Sequence, residues 1–450
     1  MRNILIIGAG FCGTMAAVQL LRQPPPGPIR IILLNRSGLM ARGVAYGTRT
    51  ERHVLNVPAA RMSALPGHED DFLRYAQQHD ARITGASFVP RQLYGQYLEH
   101  LLTEAARAVP AGCSFRSMVG EATRIRVGAG GRSALVELDH GETIHADRVI
   151  LALGNYSPAH PKVDEDSRAF FRSPRYVQDA WRPEALRVAR MDQPVLLIGT
   201  GLTMLDVLLD LQARGQRAPV HALSRRGLLP LAHRELDTPP PPVNLLPDCL
   251  GAGGSVRRCL RALRRKVAEV TAQGGDWRDV IGALRPHTPA LWHQLGTVER
   301  RRFLRHLRSF WDLHRHRCAP ELGAALRESV ERGELRVIAG RLVAFDEQAD
   351  GVDVIYRPRG ARDTQRLRVS TVINCTGPEH DTRTLREPLL AHLRASGLMV
   401  PDELGLGFLT DANYALRDLR GEASRVLFYA GPFLRAQHWE ATAVPELRVH

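Results

Sequence analysis

A glycine-rich turn placed between an apolar strand and a helix constrains this chain more than any other feature near its start. Residues 4–7 form a short apolar run, Gly8-x-Gly10-x-x-Gly13 follows at once, and an amphipathic helix is predicted over 15–21. The first glycine permits a tight turn, the second lets a pyrophosphate approach the backbone, and the third lets helix and strand pack closely. The helix N-terminus then faces the phosphate charge. The sequence therefore predicts a dinucleotide-binding unit.

The same arrangement recurs in the middle of the chain. Gly199-x-Gly201 follows another apolar run, and Met204 stands where the third glycine would be. In such units the residue at the end of the second strand binds the adenosine ribose. This residue is Asn35 in the first unit, 27 residues after Gly8, and Arg225 in the second unit, 26 residues after Gly199. An asparagine can hydrogen-bond a ribose hydroxyl, whereas a guanidinium suits a 2′-phosphate and so favours NADPH over NADH.

The order of strands and helices predicts an α/β fold with two Rossmann-like dinucleotide-binding domains and a helical insertion. Runs of three strands that end at Gly154 and at Gly377 indicate an internal duplication, and Gly377 is predicted to bind cofactor. The prolines at 239–242 mark a break before the insertion. The predicted domains are 1–160, the first part of an FAD-binding domain; 190–334, an NAD(P)H-binding domain with its insertion at about 240–332; and 335–450, the second part of the FAD-binding domain.

Composition excludes several classes of protein. No apolar run reaches the ~18 residues of a spanning helix, which argues against a membrane protein. The six cysteines show no CxxC spacing, which argues against a disulfide scaffold, a zinc finger and a thiol–disulfide reductase and favours the cytoplasm. No histidine set has metal-ligand spacing, so no metal site is predicted. The net charge of +14 comes largely from arginine; without a recognition motif it makes nucleic acid an improbable partner, and it can attract small anions.

Two dinucleotide sites in one chain indicate electron transfer between two cofactors. We expect FAD at the N-terminal site and NADH or NADPH as a co-substrate at the internal one. No cysteine pair is spaced to accept electrons beside a flavin, so O2 is the favoured acceptor, with hydroxylation of a small-molecule substrate through a flavin hydroperoxide in a dry pocket. A flavin dehydrogenase or reductase that avoids oxygen and a flavin-bearing nucleic-acid-binding protein remain as alternatives.

Several blocks along the whole chain resemble a family of bacterial FAD/NAD(P)-binding oxidoreductases. They are GVAY (43–46), HVLNVPAARMS (53–63), PRQLYG (90–95), GTGLTMLD (199–206), WDLHRHR (311–317) and WEATAVPE (439–446). Members include flavin-dependent urate hydroxylases and N-hydroxylases that act on aspartate, so the resemblance implies flavoprotein monooxygenase chemistry. This chain has Asn35 where an acid is common, and Gly431-Pro432 where many flavoproteins have Gly-Asp.

These blocks yield the remaining candidate site residues. A loop after the first unit is expected to cover the flavin ring, and a final helix starting near Thr442 is expected to point its N-terminus at the flavin. Trp311, His314 and Arg315 are expected to share one helix face. The additional cofactor-binding candidates are His53, Asn56, Met62, Gly431 and Thr442. The catalytic candidates are Arg61, Trp439 and Glu440.

The sequence alone thus favours an FAD-dependent NAD(P)H monooxygenase acting on a small polar or anionic substrate. Urate, converted to 5-hydroxyisourate in purine catabolism, is the first hypothesis for the substrate. An aspartate-type amino-acid N-hydroxylase is the alternative, followed by the oxygen-independent reductase. The sequence makes no prediction of oligomeric state.

Overall fold

The fold was analysed in a computed structural model, which describes residues 1–48, 50–234, 243, 247, 249 and 251–450. The proline break predicted at 239–242 lies outside the described residues. Two parallel sheets, each flanked by helices, make up most of the molecule, as predicted for an α/β chain with two Rossmann-like domains. In the part of the chain that is described, every helix is too short or too polar to cross a bilayer.

The first sheet forms around the first glycine turn. Its order is β15-β16-β7-β1-β2-β3, and β1 pairs in parallel with both β2 and β7. The elements up to its central strands are β1 (Arg2–Ile7), α1 (Phe11–Arg22), β2 (Ile29–Asn35), α2 (Gly43–Tyr46), α3 (Asp71–His79), α4 (Arg91–Arg107), β3 (Cys113–Val119), β4 (Ala122–Val127), β5 (Ala134–Leu138), β6 (Thr143–Ala146) and β7 (Arg148–Leu151). Strands β4–β6, which follow β3 and precede β7 along the chain, form a separate small antiparallel sheet. The central strands β1, β2 and β7 are mostly buried apolar runs, as expected for a parallel sheet covered on both faces, whereas the edge strand β3 contains no buried residue.

The second sheet forms around the second glycine turn, in the order β13-β12-β11-β10-β9-β14-β8. Its elements are β8 (Tyr176–Val177), β9 (Val195–Ile198), α5 (Leu202–Ala213), β10 (Val220–Ser224), β11 (Leu335–Gln348), β12 (Gly351–Pro358), β13 (Gln365–Val369) and β14 (Thr371–Asn374). The chain then returns to the first unit through α12 (Pro388–Ala395), β15 (Ala415–Arg417) and β16 (Ala423–Tyr429), and ends with α13 (Val444–Leu447).

The predicted boundary at 334/335 differs from this topology. Residues 335–374 complete the second sheet, because β11 pairs with β10 and β14 pairs with β9. The internal duplication explains why these residues belong to the second sheet. Strands β11–β13 and then β14 of the second unit correspond to strands β4–β6 and then β7 of the first unit. Gly377 therefore follows the second sheet, as Gly154 follows the first.

A helical unit is inserted between β10 and β11, within the predicted insertion. Its helices are α6 (Val256–Ala272), α7 (Trp277–Leu284), α8 (Thr288–Gln294), α9 (Thr297–Arg302), α10 (Arg308–Arg315) and α11 (Pro320–Glu331). Arg285 forms a two-pronged ion pair with Glu446, and Arg315 Nη2 lies 2.9 Å from Glu446 Oε1. The C-terminal segment thus anchors this unit to the rest of the molecule.

Direct contacts also join the two nucleotide domains. Arg91 on α4 donates to Asp206 on α5 at 2.8 Å, and the Asp206 side chain is only 4% exposed. His53 Nε2 lies 3.1 Å from Asp210 Oδ2 one turn further along α5. Because a buried carboxylate needs a cation beside it, the Arg91–Asp206 pair holds α5 against the first domain.

Candidate functional site

The two glycine turns have the same local geometry. Gly8 and Gly199 have φ values of 106° and 110°, which side chains rarely adopt. A Cβ at Gly8 would lie 2.4 Å from the carbonyl oxygen of Ala152, and one at Gly199 would lie 2.6 Å from that of Cys375. Only glycine therefore fits either turn.

The next glycine of each motif caps the following helix and leaves space in front of it. Gly10 (φ −81°, ψ −162°) precedes α1, and Gly201 (φ −90°, ψ −164°) precedes α5. A Cβ at Gly10 would meet only Gly43 Cα, at 3.8 Å, and one at Gly201 would meet nothing within 4 Å. By contrast, a Cβ at Gly13 would lie 1.7 Å from the Gly8 carbonyl oxygen, so Gly13 serves helix packing. The free backbone N–H groups of both helices are suited to bind phosphate.

A cleft of about 860 Å³ starts at the first glycine turn and reaches the second domain. This volume lies in the ~300–1,000 Å³ range of small-molecule and cofactor sites. The predicted residues that line it are Gly8, Gly10, Asn35, His53, Gly431 and Thr442. Lining residues that sequence reasoning missed include Tyr46, Thr48, Glu121, Asn155, Asp210 and Arg214. Asn56 and Met62 are not part of the lining, and Met62 is buried in the core beside it.

The end of the cleft near β2 fits the ribose of a dinucleotide. Asn35 Nδ2 donates to Ser37 Oγ at 3.0 Å and to the Leu39 carbonyl at 2.8 Å. These bonds leave Oδ1 of Asn35 as the acceptor for a ribose hydroxyl. Glu121 lines the same end, and its Oε1 lies 3.4 Å from Arg36 Nη1, so its carboxylate has a cation beside it.

The opposite end of the cleft is ordered by buried groups. His53 is 4% exposed and its Nδ1 lies 2.7 Å from Thr48 Oγ1. Gly431 has a φ of 151°, and a Cβ there would lie 2.6 Å from the Tyr429 hydroxyl, so a side chain is excluded. The helix predicted to begin near Thr442 is α13, with only four residues. A single turn provides a weak dipole. Thr442 lines the cleft, and the direction of the helix N-terminus toward a flavin stays a prediction.

In the second domain, Arg225 is exposed at the end of β10. Its neighbour Arg226 is held by the His306 carbonyl at 3.2 Å and by the ring of Phe310, 4.6 Å from its guanidinium carbon. Gly377, with a φ of 85°, has open space beside it. Arg225 is therefore the arginine free to meet a 2′-phosphate at this strand end.

We expect Arg225→Ala to raise the KM for NADPH about 10- to 100-fold, because charge-assisted hydrogen bonds to a phosphate are lost. The KM for NADH should stay within about twofold, since NADH has no 2′-phosphate. Steady-state oxidation of both nucleotides measures the difference. Equal changes for the two nucleotides would contradict the assignment of Arg225.

Two of the predicted catalytic residues lie in structural contacts outside the cleft lining. Trp439 is 3% exposed and stacks on Trp292 with ring centroids 4.9 Å apart. Glu440 is 2% exposed and accepts a hydrogen bond from Trp311 Nε1 at 2.6 Å, while Arg315 Nε lies 3.2 Å from its other oxygen. Burial would raise the pKa of Glu440, but the nearby cations and the Trp311 bond hold it below the usual value.

Trp311 and Arg315 therefore share a helix face as predicted, and both meet Glu440. Trp311 and His314 also line one apolar cavity in the helical unit, where His314 lies edge-on to Trp277 with ring centroids 4.9 Å apart.

The third predicted catalytic residue, Arg61, lies outside the cleft lining, in a group of arginines. Burial and the neighbouring Arg285 lower the pKa of Arg61. Burial, together with the charges of Arg278, Arg315 and Arg61, lowers the pKa of Arg317 to about 10. Arg278, Arg285 and Arg315 have carboxylate partners. Within the described chain, the side chains of Arg61 and Arg317 have neither an ion pair nor a hydrogen bond. The Arg317 guanidinium carbon lies 5.8 Å from the centroid of the Trp277 ring, and Arg317 Nε is buried without an acceptor.

His233 connects this group to the loop that contains Asn56. Its Nε2 lies 3.1 Å from the Asn56 carbonyl oxygen, so that nitrogen must carry the proton and donate. Burial and the charge of Arg317 lower the pKa of His233 to about 3, which keeps the ring neutral. Thus the loop of Asn56 and Arg61 faces a strongly positive, partly buried region.

One cysteine contact was missed by spacing analysis. The thiols of Cys249 and Cys259 hydrogen-bond, which lowers the pKa of Cys259. Both lie in the helical unit, and among the described residues only Cys12 is a cysteine of the cleft lining. The cleft therefore contains no cysteine pair in its described part.

Comparison with known proteins agrees with this geometry. Residues 5–156 match the model of a family described as FAD-NAD(P)-binding. That match includes the first glycine turn and most of its sheet, so this unit is a FAD/NAD(P)-binding domain. A search of curated protein sequences finds no match.

Solved structures show the same overall fold along the whole chain. L-lysine 6-monooxygenase from Pseudomonas syringae is 17% identical, with a TM-score of 0.64 over 100% of this chain and 97% of that one. The ornithine N-hydroxylase of Kutzneria sp. 744, in a structure with reduced FAD, NADP+ and L-ornithine, is 15% identical, with a TM-score of 0.59 over 100% and 96%. A bacillithiol disulfide reductase from Staphylococcus aureus is 14% identical, with a TM-score of 0.54 over 100% and 96%.

The predicted fold is confirmed, as is the prediction of FAD and a nicotinamide nucleotide at the level of cofactor class. The fold is that of FAD-dependent NAD(P)H oxidoreductases. The urate hypothesis and its place in purine catabolism gain no support from these comparisons, which favour the N-hydroxylase alternative. The cytoplasmic location stays a prediction.

Proposed function

We propose that this chain is an FAD- and NADPH-dependent monooxygenase that hydroxylates the amino group of an acidic amino acid. The observation that carries the substrate part is the pair of arginine side chains without a carboxylate partner, Arg61 and Arg317. Arg317 is half-buried, and an unpaired cation there is costly unless an anion joins it, while the exposed Arg61 is open to a ligand from solvent. The two side chains are therefore suited to bind carboxylates. FAD, when bound, supplies hydride acceptance and reaction with O2.

The arrangement of the two domains supports the redox part. One cleft is lined by residues of the first glycine turn, by Asp210 and Ala213 at the C-terminal end of α5, and by Arg214 just after it. The buried Arg91–Asp206 pair holds α5 at this position. The second glycine turn is at the other end of α5, about 18 Å away for a helix of 12 residues, so the two expected cofactor sites lie along one helix.

The positive region would also prepare the amine for reaction. An amine must lose its proton before its lone pair can attack oxygen, and nearby cations disfavour the ammonium form. The neutral His233 adds no charge at neutral pH, and it keeps Asn56 in place through the Nε2–carbonyl bond. The arginines would thus bind the carboxylates and lower the pKa of the substrate amine.

The function is tested by adding candidate substrates to the FAD-loaded chain with NADPH, in air and without oxygen. We expect L-aspartate or L-glutamate to stimulate NADPH oxidation and to form a hydroxylamine only in air. L-ornithine, cadaverine and urate should have smaller effects. Stimulation by urate alone would restore the first hypothesis, and turnover that persists without oxygen would favour a reductase.

Arg317→Met should raise the KM for the acidic substrate about 10- to 100-fold, because a charge-assisted bond to a carboxylate is lost. The acid limb of kcat, which reports the enzyme–substrate complex, should move up by about one pH unit, since one cation fewer opposes the ammonium form of the bound substrate. Arg107→Met, which removes an exposed arginine paired with Glu104, is the matched control. An unchanged pH profile together with an unchanged KM would contradict the assignment of Arg317.

A further inference from the structure

The helical unit encloses a second cavity, of about 580 Å³, that the proposed reaction does not use. It lies between α6, α7, α8, α10 and the C-terminal segment. The described lining is almost wholly apolar, and aromatic rings dominate it: Trp277, Trp292, Phe303, Phe310, Trp311 and Trp439. The cavity is thus separate in lining from the nucleotide cleft.

Its size and lining are those of a ligand site. Protein interiors are close-packed, with few voids larger than a water molecule. A cavity of about 580 Å³ lies well inside the ~300–1,000 Å³ range of small-molecule sites, which are mostly apolar with few polar groups. An apolar wall also retains water poorly, so an apolar occupant would gain most from this space.

Two polar features define the head group of such an occupant. The indole N–H of Trp439 is buried without an acceptor, although the residue is only 3% exposed. By contrast, the Trp311 N–H already binds Glu440. Arg264 on α6 also lines the cavity; this residue is exposed to solvent, and among the described residues it has no carboxylate within ion-pair distance. A hydrogen-bond donor and a cation beside an apolar cavity call for an acceptor that carries negative charge.

From this geometry we infer that the cavity binds a monocarboxylate with an aliphatic or aromatic body. The cavity adjoins the proposed amino-acid site, because the Arg317 guanidinium carbon lies 5.8 Å from the ring centroid of Trp277, but neither Arg61 nor Arg317 is part of its described lining. Trp311 and Trp439 line the cavity next to Glu440, so an occupant would contact the segment that anchors the helical unit.

The test uses the full FAD-loaded chain and decanoate as the probe, titrated by calorimetry. We expect one decanoate per chain, and binding of decylamine at least tenfold weaker because its head is cationic. Leu263→Trp places a larger side chain on the cavity wall and should abolish decanoate binding while FAD is retained. Leu419→Trp, at a leucine that is 72% exposed, is the matched control and should bind decanoate normally.

A second pair of variants tests the head group without altering the interior. Arg264→Glu should weaken decanoate about tenfold or more. Arg261→Glu, on the same helix but outside the lining, makes the same change of charge and should stay within about twofold. Absence of decanoate binding to the unmodified chain, equal binding of decylamine, or equal effects of the two charge reversals would overturn the inference. None of these outcomes bears on NADPH oxidation, so the proposed function stands or falls separately.

Discussion

Gly10→Val is expected to yield a folded protein that purifies without FAD. The backbone of Gly10 is extended, with φ −81° and ψ −162°, so valine adopts it without strain. A Cβ there would contact only Gly43 Cα, at 3.8 Å. The added methyl groups would instead occupy the space before the N-terminus of α1, where a pyrophosphate would lie. We expect at least a 100-fold loss of FAD affinity.

The measurement is the flavin absorbance of the purified variant and its titration with FAD, with circular dichroism to check folding. Gly27→Val at an exposed turn is less suitable as a control, because Gly27 has a φ of 86° and any side chain is strained there. Gly201→Val is the better partner, since both glycines are extended helix caps. A Gly10→Val protein that retains its full yellow colour would show that FAD binds elsewhere.

Gly201→Val is expected to retain FAD but to lose reduction by NADPH. Gly201 has φ −90° and ψ −164°, and a Cβ would meet nothing within 4 Å, so the second sheet should fold normally. The valine would fill the space before α5, where the nicotinamide dinucleotide is expected to place its pyrophosphate. We expect the rate of flavin reduction at a fixed low NADPH concentration to fall by at least 100-fold.

Stopped-flow reduction without oxygen follows this step directly. Chemical reduction by dithionite should remain normal in Gly201→Val, which separates loss of nucleotide binding from damage to the flavin. Normal reduction by NADPH would contradict the placement of the nicotinamide nucleotide at the second turn. Loss of FAD in both variants would mean that the two turns do not act as separate sites.

The local elements could be predicted from the sequence, whereas their assignment to sheets could not. The apolar run before Gly199 predicts a strand, and β9 (Val195–Ile198) lies there, because a short apolar run ends at a glycine that only a tight turn explains. Residues 335–374 were assigned to the wrong domain because strand order does not state which sheet a strand joins. That choice depends on pairing between β11 and β10, which are far apart in sequence.

The candidate site likewise combines features that the local sequence predicts with features that depend on tertiary packing. The glycines, Asn35 and Arg225 follow from local spacing, and so does the face shared by Trp311 and Arg315. The approach of Arg61 to Arg317 and the contact between Cys249 and Cys259 depend on tertiary packing, and no spacing signals them. Glu440 was predicted to be catalytic from its block, but its contacts with Trp311 and Arg315 give it an anchoring role in the structure.

The ion pairs between the helical unit and the C-terminal segment have a consequence for biosynthesis. Arg285 and Glu446 are 161 residues apart in the chain. At ~5–20 residues per second, a ribosome needs roughly 10–30 s to add the carboxylate after the arginine. The helices of the nascent unit therefore lack this carboxylate partner until the last residues of the chain have been made. We expect this unit to be bound by a chaperone during translation.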